Sequence, residues 1–144
     1  MITLLQRVTE ARVEVSNRVI GNIEKGLLVF VGVQTADTEI TASEFISRIL
    51  NYRVFSDENN KMNLSLLDVQ GGLLLVPQFT LAANTRKGRR PSFTTAARPE
   101  HGLAIFQTMV NIAKSSHGAV MCGEFGADMQ VHLINDGPVT FILD

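Results

Sequence analysis

The residues best placed to do chemistry follow a proline inside an otherwise apolar stretch, 72–81. Pro77 has no N–H group to donate to a sheet ladder, so the backbone should bulge or leave the sheet at this point. The amides of Gln78, Phe79 and Thr80 would then be free, and three successive free amides could hold an oxyanion. The alternative is a strand that simply ends at a proline.

A second candidate is a cluster of basic residues just after this stretch. Four of the thirteen basic residues fall within 86–90, Arg98 adds a fifth, and no acidic residue lies between 86 and 98. A basic loop with the aromatic side chain of Phe93 nearby suits a phosphate and a stacked base. The alternative is an ordinary solvated loop. The four clustered residues are Arg86, Lys87, Arg89 and Arg90.

The usual motifs of metal and cofactor chemistry are missing. There is no GxGxxG after a strand, no P-loop and no HExxH, and His101, His117 and His132 lie too far apart for a local metal motif. Cys122 is the single cysteine, which excludes an intrachain disulfide and a cysteine-built metal site. We expect Cys122 and His132 to be structural, with a Cys–His nucleophile pair as the alternative. We therefore expect no metal.

Length and charge set the broad class of protein. A chain of 144 residues has the size of one domain, so we expect a single domain over 1–144. Its 45% hydrophobic and 19% charged residues exclude a disordered or fibrous chain. A net charge of −1 means that any polyanion must meet a local basic patch. Without a run of about 20 apolar residues or a signal peptide, we expect no membrane association and a cytoplasmic location.

The elements that position these residues can be traced from the spacing of apolar side chains. Alternation predicts a strand over 2–15, 18–24 is interpreted as the return strand, and 72–81 again has a strand pattern. The continuously apolar 27–31 predicts a central strand that is covered on both faces.

Two amphipathic helices are also predicted. The first has apolar residues at 42, 45, 46, 49 and 50, with Asp37 as a candidate N-cap or Thr41 and Glu44 as a capping box. The second runs from about Pro99 to His117, because proline suits a first helical position. Its buried stripe should be Leu103, Phe106, Val110 and Ala113.

The C-terminal part predicts strands over 119–125, 128–134 and 139–143, with a turn at 135–138 between the last two. The order β-β-β-α-β-α-β-β-β lacks the regular alternation of a doubly wound fold. We therefore predict an α+β fold with a mixed, mostly antiparallel sheet. The sheet should curl toward a barrel and carry two packed helices.

At two of these segments the sequence resembles the D-aminoacyl-tRNA deacylases, formerly called D-tyrosyl-tRNA deacylases. The segments are Gln78-Phe79-Thr80-Leu81-Ala82-Ala83 and Asn135-Asp136-Gly137-Pro138-Val139-Thr140. The resemblance extends over essentially the whole chain. The other matching stretches are 6–8, 51–57, 61–64, 90–93 and 127–131.

The resemblance implies a homodimer with two active sites at the subunit interface. Each site would combine the segment Gln78-Phe79-Thr80 of one chain with the Gly137-Pro138 turn of the other. The Gly137–Pro138 bond would be cis, with carbonyls that point into the partner's site. The substrate would be tRNA charged with a D-amino acid or glycine, and its ester would be hydrolysed without a cofactor.

The implied chemistry is physically coherent. The carbonyls of Gly137 and Pro138 would accept from the substrate ammonium, and a rigid wall would reject L side chains by clash without excluding glycine. The amides of Phe79 and Thr80 would stabilise the oxyanion. Either Thr80 is the nucleophile, or the 2′-OH of the substrate ribose orients or activates water; we favour the second, because no base adjoins Thr80 in the sequence.

Contacts with tRNA are expected at Arg7, Arg86, Lys87, Arg89, Arg90, Phe93 and Met129. One position departs from the family: its signature usually reads Ser-Gln-Phe-Thr, and Pro77 replaces the serine, which removes a hydroxyl and an amide.

Two other classes of protein remain open. The chain could be an RNA-binding module without hydrolytic activity, or a threonine-nucleophile amidase or esterase.

Overall fold

The computed structural model describes residues 1–144 and contains eight strands, three α-helices and one 3₁₀-helix. The strands are β1 (Ile2–Val15), β2 (Arg18–Ile23), β3 (Gly26–Gly32), β4 (Phe55–Ser56), β5 (Met62–Leu64), β6 (Gly72–Pro77), β7 (Val120–Cys122) and β8 (Gln130–Leu143). The helices are α1 (Glu39–Asn51), α2 (Leu66–Val69), α3 (Pro99–Ser116) and the 3₁₀-helix Phe79–Ala82.

The main sheet is organised around β1. This strand pairs antiparallel with β3 through its first half, with β2 through its second half, and with β8 along nearly its whole length. Beyond β3 the sheet continues with β6 and β7, which are parallel to it, so the order is β2-β1-β3-β6-β7 with β8 beside β1.

The sheet curls until its two ends nearly meet. A Cβ atom built on Gly21 of β2 would lie 3.1 Å from the carbonyl oxygen of Cys122 in β7. The mixed, mostly antiparallel and barrel-like sheet that the sequence predicts is therefore confirmed.

The predicted central strand β3 is buried on both faces, because its side chains alternate between two hydrophobic clusters. Leu27, Val29 and Val31 lie in the larger cluster, which also contains the buried faces of α1 and α3. Leu28 lies in a smaller cluster with Val8 and other residues of the curled sheet. The helices α1 and α3 therefore cover one face of the sheet. The other face is covered by the sheet itself, because the sheet curls over it.

Both proposed starts of α1 are wrong by a few residues. Thr38 is the N-cap, and it forms a capping box with Thr41 at the third helical position. Asp37 instead accepts the N-terminal ammonium of Met1 at 2.6 Å and the backbone N–H of Gln34 at 2.7 Å. The carboxylate of Asp37 therefore belongs to a buried charge pair with the N-terminus and does not cap the helix.

The long helix α3 begins at Pro99 as predicted, but one residue of its predicted stripe is wrong. Leu103 is 47% exposed, whereas Ile105 and Met109 are buried. The polar segment 57–60 joins β4 and β5, which are antiparallel. These two short strands and the helix α2 were not predicted.

The strand boundaries near the candidate site also differ from prediction. β6 ends at Pro77, and the chain turns at once into the 3₁₀-helix. The segment 135–138 is not a turn between two strands, because β8 runs continuously from Gln130 to Leu143 and stays paired with β1 on both sides of it. No helix is long and apolar enough to cross a membrane.

Candidate active site

Pro77, at the end of β6, ends the hydrogen-bond ladder between β6 and β7 one residue before the ladder between β6 and β3 ends. Gly123 donates its N–H to the carbonyl of Leu75 at 2.8 Å, and the next donor from β6 to β7 would be residue 77, which as proline has none. On the other edge the ladder continues for one more residue. Gln78 donates its N–H to the carbonyl of Val31 at 2.7 Å.

Two backbone amides are free directly beyond this point. Because the amide of Gln78 is used in the ladder, the expectation of three free amides is wrong for that residue. The N–H groups of Phe79 and Thr80 have no acceptor in the chain, since the first turn of a helix has no earlier carbonyls to receive them. Two neighbouring N–H donors at the surface can stabilise an oxyanion.

The side chain of Thr80 has a single hydrogen-bond partner. Nε2 of Gln78 donates to Oγ1 of Thr80 at 2.5 Å. No histidine, lysine or carboxylate forms a hydrogen bond with Thr80, so no side chain of the same chain is placed to take its proton.

An apolar cavity of about 490 Å³ lies beside the two free amides. Phe79 and Phe93 both line it and contact each other with tilted rings whose centroids are 5.2 Å apart, and Phe79 is 57% exposed. Pro77 and Phe125 also line the cavity, and Arg98 provides its charged side chain. Flat aromatic walls with one cation suit a planar, partly polar group such as a nucleic-acid base.

The basic cluster lies on an exposed loop next to this cavity. Asn84 and Ser92 exchange two backbone hydrogen bonds of 2.8 and 3.0 Å, which close the loop at its base. Phe93 follows directly, so the loop and the aromatic cavity adjoin. The four basic side chains are exposed and form no salt bridge: Arg86, Lys87, Arg89 and Arg90.

Met129, a predicted tRNA contact, lies at the back of this region. Its sulfur would be 2.8 Å from a Cβ atom built on Gly123, and Cδ of Pro77 would be 3.4 Å from the same atom. It is partly buried against the smaller hydrophobic cluster. Met129 does not line the aromatic cavity, and its contact with tRNA stays a prediction.

The second segment, around Gly137 and Pro138, loops out of β8. Four residues, 136–139, lie opposite the single residue Arg7 of β1. The Gly137–Pro138 bond is cis, as the resemblance implies. Gly137 has a φ angle of 127°, which side-chain-bearing residues rarely adopt.

Arg7 fastens this loop to the rest of the chain. Its guanidinium donates to the carbonyl of Val54 at 2.7 Å and to the carbonyl of Asp136 at 3.2 Å, and Nε lies 3.3 Å from the Asp136 carboxylate. Its side chain is only 11% exposed. The predicted tRNA contact of Arg7 is untested, but the structure assigns it a positioning role that the sequence did not indicate.

The two segments lie apart within one chain. No hydrogen bond joins residues 78–80 to residues 136–139, and the aromatic cavity is lined by neither Gly137 nor Pro138. Within one chain, the two segments therefore do not share this cavity.

The carboxyl groups with lowered pKa values belong to neither segment. The pKa of Glu14 is lowered mainly by its hydrogen bond with Arg12. Asp57 and Asp68 accept backbone N–H groups of their own turns, which lowers the pKa of each. These shifts reflect local structural contacts rather than a catalytic acid or base.

Known proteins resemble this chain over its whole length. The sequence profile of the family described as D-Tyr-tRNA(Tyr) deacylase matches residues 4–144. A D-aminoacyl-tRNA deacylase of Pseudomonas aeruginosa is 60% identical over 144 residues, which cover 100% of this chain and 99% of the relative. One of Stutzerimonas stutzeri is 57% identical over 141 residues, which cover 98% of this chain and 97% of the relative.

Solved structures show the same fold. One described as c-Myc DNA Unwinding Element Binding Protein has a TM-score of 0.95 and 37% identity, with 100% of this chain and 98% of that chain covered. A probable eukaryotic D-amino acid tRNA deacylase has a TM-score of 0.88 at 17% identity, with 99% and 97% covered.

The fold and the matched family define a hydrolase with a curled mixed sheet. The chain belongs to the D-Tyr-tRNA(Tyr) deacylase family.

The role assigned to Arg7 predicts the effect of a charge-conserving substitution. Arg7→Lys keeps the charge but loses the planar fork that reaches two carbonyls and a carboxylate, so the free energy of unfolding should fall by about 2–3 kcal/mol. Urea denaturation measures this free energy of unfolding. Arg48→Lys, at an exposed position of α1, is the control and should be within about 0.5 kcal/mol of the unsubstituted protein. Equal stability of the two variants would contradict the positioning role.

Proposed function

We propose that the chain hydrolyses the ester of D-aminoacyl-tRNA and of glycyl-tRNA, and spares tRNA that carries an L-amino acid. The observation that carries the proposal is the pair of free N–H groups at Phe79 and Thr80 beside an aromatic cavity. The cavity would take the terminal adenine, which would bring the ester carbonyl next to the two donors. In that position the donors stabilise the tetrahedral intermediate.

The selectivity would come from the Gly137–Pro138 loop of a partner chain. Backbone carbonyls accept hydrogen bonds from the substrate ammonium, and this contact together with the oxyanion donors fixes both ends of the amino acid. The α-carbon then has two directions for a side chain, and a rigid wall in the L direction excludes L substrates by clash. Glycine has no side chain to exclude, so it should be hydrolysed.

The assembly we propose is a homodimer with its active sites at the interface. β8 pairs only with β1, so its other edge is free over a 14-residue strand, and Ile142 on it is 63% exposed. Long apolar edge strands are normally covered. Because the segments 78–80 and 137–138 lie apart within one chain, we propose that a second copy of the chain packs on this edge of β8. A fully active monomer in sedimentation at micromolar concentration would contradict this.

The reaction would consume only water. Water adds to the ester carbonyl carbon, the N–H groups of Phe79 and Thr80 hold the negative oxygen, and the bond to the ribose 3′ oxygen then breaks. That oxygen takes one of the two protons of the water and the other is released to solvent, which leaves tRNA with a free 3′-OH and the amino acid as a carboxylate. Because an aminoacyl ester is already activated, positioning and charge stabilisation suffice, and no cofactor is required. Such an enzyme would act in the cytoplasm, where tRNA is charged.

The nucleophile we favour is water oriented by the ribose 2′-OH of the substrate. Oγ1 of Thr80 accepts a hydrogen bond from Gln78, whose amide cannot act as a base at that atom. No other side chain bonds to the hydroxyl. A nearby 2′-OH is part of every aminoacyl-tRNA, so it is present whenever the substrate is bound.

The first test compares D-tyrosyl-, L-tyrosyl- and glycyl-tRNA. We expect hydrolysis of the D and glycyl esters and a rate for the L ester that is lower by at least about a hundredfold, since a clash displaces the reacting carbonyl. Release of labelled amino acid measures it. Binding of D-tyrosyl-tRNA without hydrolysis would instead indicate an RNA-binding module. Equal turnover of D-tyrosine methyl ester would indicate a small-molecule esterase.

The second test separates the two nucleophiles. Thr80→Val keeps the shape and the backbone N–H, so it should retain at least about a tenth of the rate on D-tyrosyl-tRNA. A substrate whose terminal ribose lacks the 2′-OH should react at least about a hundredfold more slowly. Single-turnover rates provide both numbers. An acyl adduct on Thr80 in the mass spectrum would refute the proposed route.

The third test concerns the basic loop. Changing its four basic residues to Gln should weaken tRNA binding and flatten the salt dependence, with a slope smaller by up to about 3, because fewer counterions are released. Filter binding between 50 and 200 mM salt, a range that resolves such slopes, measures it. A control with the same change in net charge should keep the slope. It neutralises Arg18, Arg48, Lys61 and Lys114.

A further inference from the structure

The loop that carries Gly137 and Pro138 is closed at its base by a single side chain. The register of β8 against β1 pairs Asn135 with Val8 and Thr140 with Gln6, and the residues between them leave the ladder. A loop of this kind has no ladder hydrogen bonds of its own. Its direction therefore depends on what joins the two ends.

Asn135 makes that connection. Its Oδ1 accepts the backbone N–H of Val139 at 3.1 Å, and its Nδ2 donates to Oγ1 of Thr140 at 2.9 Å. Both partners lie on the far side of Gly137 and Pro138. The carboxamide therefore spans the loop from its first residue to its last, and satisfies an N–H group that the interrupted ladder leaves without a partner.

The far side of the loop is itself fixed to the core. Val139 is 6% exposed and belongs to the larger hydrophobic cluster, and Thr140 also accepts from Nε2 of Gln6 at 3.2 Å. The near side has no comparable anchor in its own side chains apart from the contact of Asp136 with Arg7. Asn135 therefore transmits the fixed position of Val139 and Thr140 to the start of the loop.

We propose that Asn135 is a positioning residue that sets the direction of the Gly137 and Pro138 carbonyls, and through them the discrimination between D and L substrates. This inference rests on the proposed function of that loop. Asn135 does not touch the substrate. Its effect is to hold the wall and the ammonium acceptors in one place, where a displacement of about 1 Å costs on the order of a hundredfold in rate.

The chemistry of the two contacts predicts which replacements work. Aspartate has the same length, its carboxylate can accept the N–H of Val139, and the hydroxyl of Thr140 can reverse its role and donate to it. Leucine has a similar shape but neither donor nor acceptor. Asn135→Asp should therefore rescue what Asn135→Leu loses, which a purely steric role would not produce.

The experiment measures kcat/KM for D- and L-tyrosyl-tRNA in the full-length protein. We expect Asn135→Leu to lose about a hundredfold on the D substrate and to reduce the ratio of D to L, and Asn135→Asp to stay within about threefold. Thr140→Val, which removes one of the two contacts of Asn135 together with the contact of Gln6, should lose about tenfold. Asn111→Leu, on the exposed face of α3, is the control and should change neither value.

A structural measurement accompanies the kinetics. Amide hydrogen exchange of Val139 should be at least about tenfold faster in Asn135→Leu, because its acceptor is gone. An unchanged rate and D-to-L ratio in Asn135→Leu would overturn the inference while leaving the proposed function intact. An unsubstituted protein that does not hydrolyse D-tyrosyl-tRNA would refute the function itself. If Asn135→Leu does not fold, the graded losses in Thr140→Val and Asn135→Asp decide the matter, and full activity in Thr140→Val overturns the inference.

Discussion

The parallel pairing of β3 with β6 is the interaction on which the proposed oxyanion donors depend. At one end of the pair, a Cβ atom on Gly26 would lie 1.9 Å from the carbonyl oxygen of Gly72, so the two backbones meet where no side chain fits. At the other end, Gln78 donates its N–H to Val31. Between these contacts the register cannot slip by a residue without turning every side chain of a doubly buried strand to the wrong face. This register makes Phe79 the first residue beyond the ladder.

The second half of the proposed site depends on β1, which holds three strands at once. β1 pairs with β8 on both sides of the Gly137–Pro138 loop. The four residues 136–139 of β8 therefore lie opposite the single residue Arg7 of β1. The loop is therefore held between a fixed sheet and a fixed guanidinium rather than by its own turn. The two halves of the proposed site project from different parts of the sheet, so in the proposed dimer the packing of the two chains would set their relative position.

The sequence predicted most elements because their periodicities are local, whereas the errors are long-range. Pro77 correctly indicated where β6 leaves the sheet, but the occupied amide of Gln78 depends on a carbonyl of β3, 47 positions away in the chain. The motif at 135–138 has every local signal of a turn, yet pairing with β1 carries the strand through it. Arg7 and Asn135 lay within matching segments of the family, but only the register shows what their side chains reach.

The groups proposed to act on the substrate are backbone N–H and C=O groups, and this changes which substitutions matter. A side-chain substitution cannot delete a backbone amide, so the sensitive positions are those that aim the backbone. Pro77 illustrates the point. Although it replaces the serine usual in the family, the N–H that it removes is the one that would have extended the ladder to β7 past Gly123, and the N–H groups of Phe79 and Thr80 remain. Proline thus ends β6 just before the two free N–H groups, which are present without the hydroxyl.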